Sequence, residues 1–172
     1  MHLVSQEELE GQEFVLGKWL GAVRVPAIRE FSSASAFRRG MKAFDIKNKD
    51  KEIFPFAGLK VVYPENQLYI HELQRGFSDE DIFGYIHASG FIRAGFAHIR
   101  YILDMHRKGE ADVITLELDD GYPNIFYALD ADRLPWGIDV SWSKRRSAWE
   151  FEASIAHKKN SEVRIAGSRV FF

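Results

Sequence analysis

Apolar positions change their spacing along this chain, and each change marks an expected element. Residues 13–25, EFVLGKWLGAVRV, read as one or two strands stopped at Pro26. Residues 33–44 read as a helix: Ser33 can cap it, and Phe37, Met41 and Phe44 recur on one face. Gly40 inside it costs about 1 kcal/mol against alanine. A polar connection, DIKNKDKE, follows over 45–52. Two short apolar runs, 60–63 and 67–73, flank Pro64-Glu65-Asn66 and read as a hairpin.

The strongest helix signal comes next. Ser78 with Asp79, Glu80 and Asp81 supplies a cap and an acidic first turn, suited to the positive end of the helix dipole. Helical spacing continues to His106, and Arg107, Lys108 and Gly109 form a stop. Ala88-Ser89-Gly90 should break this stretch into two pieces, 79–88 and 91–108.

Beyond Gly109 the period becomes two. Strands are expected over 112–118, 124–129, 137–142, 148–156 and 162–172, separated by turn-rich DDGYP, SKRRS and HKKNS. Short connections pair such strands as antiparallel neighbours. The expected fold is a single α+β domain over 1–172, with mixed strands and helices over 1–109 and antiparallel strands over 110–172. Its sheet would be mostly antiparallel, ending in a C-terminal meander, with the helices packed on one face. Trp149 and Phe151 should lie in its core.

Composition fits one soluble domain: 172 residues, 46% hydrophobic, 28% charged. The chain holds no cysteine, which excludes disulfides, Cys-ligated metals and thiol chemistry. Glu7, Glu8, Glu10 and Glu13 stand where a secretory leader would need a basic start and an apolar run. No run of eighteen apolar residues occurs. A cytoplasmic protein without a membrane partner is therefore expected.

Candidate chemistry is sparse. No P-loop, dinucleotide fingerprint or nucleophile elbow is present, so no catalytic residue and no cofactor is expected. Residues 45–50 resemble a calcium loop in part, but Lys47, Lys49 and Lys51 would repel the ion. His98 and His106 fall on the apolar side of the second helical piece, too far apart along the axis to share one metal. A buried, satisfied histidine is the simpler account of His98. The alternative opens His98 or His87 into a small-ligand pocket between helix and sheet.

Strand alternation sends Asp139, Glu150 and Glu152 to the outward face. A four-residue connection over 143–146 sets Asp139 opposite Glu150; a six-residue one sets it opposite Glu152. Facing carboxylates destabilise a ladder, so something should compensate. A divalent cation would make these three residues a nuclease-like metal-dependent hydrolase site. Arg164 and Arg169, expected on the outward face of the next strand, offer ordinary surface pairing with the two glutamates instead.

Charge is segregated although the net value is only −2. Residues 104–143 carry −6 and residues 144–172 carry +4. The acidic block gathers Glu117, Asp119, Asp120, Asp130 and Asp132 in or beside turns, with Tyr122, Tyr127 and Trp136 among them. Exposed acids beside aromatics suit a surface that covers a basic protein partner. The leading expectation is therefore a non-enzymatic protein-binding domain, of the kind an immunity or antitoxin-type inhibitor would be. Its contact residues would be Glu117, Asp119, Asp120, Tyr122, Asp130, Asp132 and Trp136. The basic turns at 144–146 and 158–159 should point to opposite ends of the sheet, which disfavours nucleic acid as a partner.

Overall fold

The computed structural model describes residues 16–32, 44–46, 60–88, 94–110, 118–129, 134–156 and 163–172. Eleven strands and two helices occupy them: β1 (Gly17–Val25), β2 (Ile28–Ser32), β3 (Phe44–Ile46), β4 (Lys60–Tyr63), β5 (Asn66–Leu73) and β6 (Phe77–Ser78). Helices α1 (Asp79–Ala88) and α2 (Phe96–Lys108) follow, then β7 (Asn124–Leu129), β8 (Pro135–Ser143), β9 (Ala148–Ile155), β10 (Val163–Arg164) and β11 (Arg169–Phe171). The expected helix over 33–44 and strand over 112–118 lie largely outside the described residues.

The main sheet has seven strands in the order β1-β5-β11-β7-β8-β9-β3. It is mostly antiparallel, as expected, but not purely so: β11 runs parallel to β7, and β3 parallel to β9. The fold is α+β, and the expected meander is realised only over β7-β8-β9. Its continuation over 162–172 splits. β10 pairs with β6 in a separate two-stranded sheet, while β11 inserts between β5 and β7. The reason is visible in Val170-Phe171-Phe172, which is apolar at every position. Such a run needs a central strand buried on both faces, not the end of a meander.

Two more local expectations change in the same way. The runs at 60–63 and 67–73 are strands but not a hairpin, because β4 pairs with β2 and β5 with β1. Residues Phe44–Ile46, expected at a helix end and in a polar connection, form β3 against β9.

The two helices cover opposite faces of the sheet, not one. On β7, Phe126 and Ala128 belong to a core shared with Phe96, Ile99, Ile102 and Leu103 of α2. Ile125 and Tyr127 belong to the other core, shared with Ile82, Tyr85 and Ile86 of α1. Successive strand side chains point to opposite faces, so a strand with apolar residues at every position demands cover on both. Phe126 and Phe171, paired across β7 and β11, stack with ring centroids 4.3 Å apart. Trp149 and Phe151 are buried on the α2 side, as their alternation predicts.

The start of α1 follows the sequence signal. The Asp81 amide donates to Ser78 Oγ at 3.1 Å, and the Ser78 hydroxyl donates to Asp81 Oδ2 at 2.6 Å. This reciprocal cap leaves Asp79 free to turn inward. Helix α2 ends at Gly109 in a left-handed conformation, φ 73°, where glycine carries no steric penalty.

Candidate functional site

Two buried arginines, Arg164 and Arg169, fasten the segments around β7. Arg164 lies on β10 between Val163 and Ile165, and strand alternation turns it inward while its neighbours face solvent. Its Nε donates to Asp79 Oδ1 at 2.6 Å and its Nη2 to Asp79 Oδ2 at 2.9 Å. Its Nη1 donates to Asp139 Oδ2 at 2.5 Å, and Nη2 also reaches Ser154 Oγ at 3.1 Å. The Tyr127 hydroxyl donates to Asp79 Oδ1 at 2.7 Å. Burial opposes the charge on Arg164, but the carboxylates of Asp139 and Asp79 outweigh it and keep the guanidinium protonated. Burial, reinforced by the Asp79 charge, raises the Tyr127 phenol well above its usual value.

Backbone register explains how four elements converge there. Tyr127, Gly137 and Ser154 sit side by side across β7, β8 and β9. Gly137 is the gap in this row: a Cβ there would stand 2.7 Å from Arg164 Nη2 and 3.2 Å from Asp79 Oδ1. The ion pair therefore lies directly on the sheet, and β10 is pinned over the α1 face.

Arg169, 5% exposed at the start of β11, does the same for the turn before β7. Its Nη1 donates to Asp120 Oδ1 at 3.2 Å, and its Nη2 forms a second, shorter contact with Asp120 Oδ2. Burial pushes the Asp120 carboxyl up, but hydrogen bonds from Arg169 and from the Tyr122 amide bring it below its ordinary value. The turn at 165–168 is tied down by its backbone. Gly167 N–H donates to the Leu73 carbonyl at 2.8 Å, and Arg169 N–H to the Pro123 carbonyl at 3.0 Å. Tyr122 lies against Gly167, whose φ of 88° and missing Cβ make room for the ring; a Cβ would come within 2.6 Å of it.

Three large apolar side chains near these pairs stay exposed, and we take them together as an apolar strip. Val163 is 68% exposed, Ile165 57% and Tyr122 46%. Acids lie beside Val163: Glu80 and Asp81 are exposed next to Ser78, the residue paired with Val163, whereas exposed Asp119 lies 3.8 Å from His106 of α2.

Among the described residues, the members of the expected acidic surface do not all lie together. Asp119, Asp120 and Tyr122 precede β7 at one end, whereas Trp136 pairs with Ala128 near the other. The six residues of β7 separate them by about 20 Å. Trp136 is also half-buried against the α2-side core. Asp120 is held by Arg169 and is not a free contact group. Glu117, Asp130 and Asp132 lie outside the described residues.

The three carboxylates do share a face. Asp139 stands opposite Glu152 and Ser141 opposite Glu150, and pairing extends to Ser143 and Ala148 before a turn at 144–147. Compensation comes from arginine, but not in the arrangement expected: Arg164 takes Asp139, Arg146 approaches Glu150 at 3.4 Å, and Arg169 serves Asp120. Among the described residues, no group of three or more histidines, aspartates or glutamates converges as metal ligands.

His98 is fully buried, and its Nδ1 accepts the Gly95 amide at 3.0 Å as part of the α2 start. Burial lowers its pKa to about 4. The ring is withdrawn from solvent, as the simpler account of His98 expects. His87 is exposed near the end of α1. Val163 and Ile165 are not legible in the sequence as exposed anchors, because an eleven-residue strand is expected there. The signal that could have found them is the basic residue set between two β-branched ones.

Among the described residues no helix is long and apolar enough to cross a membrane. No family model matches this chain, and neither a curated protein nor a solved structure resembles it significantly.

Proposed function

We propose that this chain is a non-enzymatic protein-binding domain that covers a basic partner through the strip of Tyr122, Val163 and Ile165. The supporting observation is the rigid exposure of those three apolar residues above two buried arginine pairs. An exposed apolar anchor on preordered backbone binds with little further entropy loss. Aromatic and branched side chains of this kind supply most interface energy. Glu80 and Asp81 beside the strip favour a cationic partner by complementarity and would speed its encounter. An immunity or antitoxin-type inhibitor works through such a surface.

The test is affinity capture from the cells that make the protein, followed by binding measurements with the purified partner. The native chain should retain one basic protein. Ile165→Glu should weaken that binding by about tenfold or more, with the melting temperature unchanged. Equal binding by native chain and Ile165→Glu would remove the proposal.

A further inference from the structure

The sequence reading disfavoured nucleic acid because its basic turns were expected at opposite ends of the sheet. Tertiary packing supplies a different neighbour. The last turn of α2 crosses the sheet to β9, where His106 packs edge-on to Trp149 with ring centroids 5.7 Å apart. Trp149 is paired with Trp142, one pair from the end of the β8-β9 ladder at Ser143 and Ala148. Arg107 and Lys108 therefore emerge beside the turn holding Lys144, Arg145 and Arg146, and all five are exposed.

The acids at this end are largely committed. Asp104 is held by Arg100 at 2.8 Å and approached by Arg107 at 3.4 Å. Arg146 serves Glu150, His106 lies 3.8 Å from Asp119, and Arg169 holds Asp120. Among the described residues, Lys108, Lys144 and Arg145 then face solvent, with Glu110 and Asp119 as the exposed acids of this end.

We infer that this end of the molecule binds the phosphodiester backbone of a nucleic acid, on a surface separate from the apolar strip. The ligand class follows from what surrounds the cations. None of the large exposed hydrophobic residues, Trp19, Tyr122, Leu134, Val163 and Ile165, belongs to either basic segment. A protein interface would need such anchors at its centre. A phosphate backbone needs only cations on flexible stems, and it is contacted without regard to sequence.

The experiment is fluorescence anisotropy of the full chain with labelled duplexes of about 20 base pairs, DNA and RNA, across salt concentrations. Expected are sequence-independent binding at low salt and a linear loss of log affinity with log salt. Lys144→Glu with Arg145→Glu should weaken binding at least about tenfold and flatten that slope by about two; Lys108→Glu should flatten it by about one. Ile165→Glu should leave it unchanged, which separates failure here from failure of the protein-binding reading. Three results would each overturn the inference. One is an undiminished affinity in the Lys144/Arg145 variant. Another is absence of binding to either duplex at low salt. The third is equal or tighter binding to a polyglutamate chain or to anionic lipid vesicles.

Discussion

Arg164 and Asp79 form a two-pronged ion pair, Nε to Oδ1 at 2.6 Å and Nη2 to Oδ2 at 2.9 Å, between residues 85 positions apart. Both are almost wholly withdrawn from water. Such a pair adds little over a well-packed apolar substitute, yet breaking it strands a buried charge. Asp79→Asn should therefore cost about 3–5 kcal/mol of unfolding free energy, read by urea denaturation. Asp79→Asn combined with Arg164→Met should cost clearly less than the two single losses added, because the stranded charge is gone. Additive losses would show that the two residues act independently.

Gly137 and Gly84 make a matched comparison. A Cβ at Gly137 would press on Arg164 Nη2 at 2.7 Å, whereas one at Gly84 meets nothing within 4 Å. Gly137→Ala should lower the melting temperature by displacing the ion pair. Gly84→Ala, in the middle of α1, should raise stability by about 0.5–1 kcal/mol. Thermal unfolding of the two variants decides this, and a stabilising Gly137→Ala would contradict the packing described.

His98 sets a pH dependence. Burial lowers its pKa from an ordinary 6.5 to about 4 in the folded chain, so between these values the unfolded chain binds the extra proton. Stability should then fall as pH drops from about 6.5 to about 4, by about 3 kcal/mol in all, and this contribution should level off below. Burial lowers the His71 pKa as well and acts in the same direction. Asp120, with its carboxyl held low, contributes a loss only at more acid pH. His98→Gln should flatten the slope above pH 4 in denaturation series, and an unchanged slope would assign the dependence elsewhere.

Neighbouring aspartates should behave differently. Asp119 is exposed, and its replacement by lysine should leave stability within about 0.5 kcal/mol. Asp120→Lys sets a second cation against the buried Arg169 and should cost about 1–3 kcal/mol. Circular dichroism melts of the two variants check this, and equal stability would mean that Arg169 does not depend on Asp120.

Element identity was largely legible from the residues alone. Ser78 with Asp81 marked the start of α1, Gly109 marked the end of α2, and alternation in β8 and β9 set their faces correctly. These signals are local: a cap, a stop and a period of two act within a few residues, so the chain carries them wherever it folds. The apolar runs in β7 and β11 are buried on both faces, whereas alternation elsewhere suggested helices on one.

What tertiary structure alone decided is which strand meets which, and what each charge faces. β11 could have extended the meander; its place between β5 and β7 depends on segments some fifty to one hundred positions away. Arg164 reads as a surface cation until β10 is laid over the sheet and Asp79 arrives from α1. Side-chain period is a property of one strand, whereas partner choice and charge pairing are properties of the assembled layers. For that reason the exposed strip and the basic end emerge only after folding.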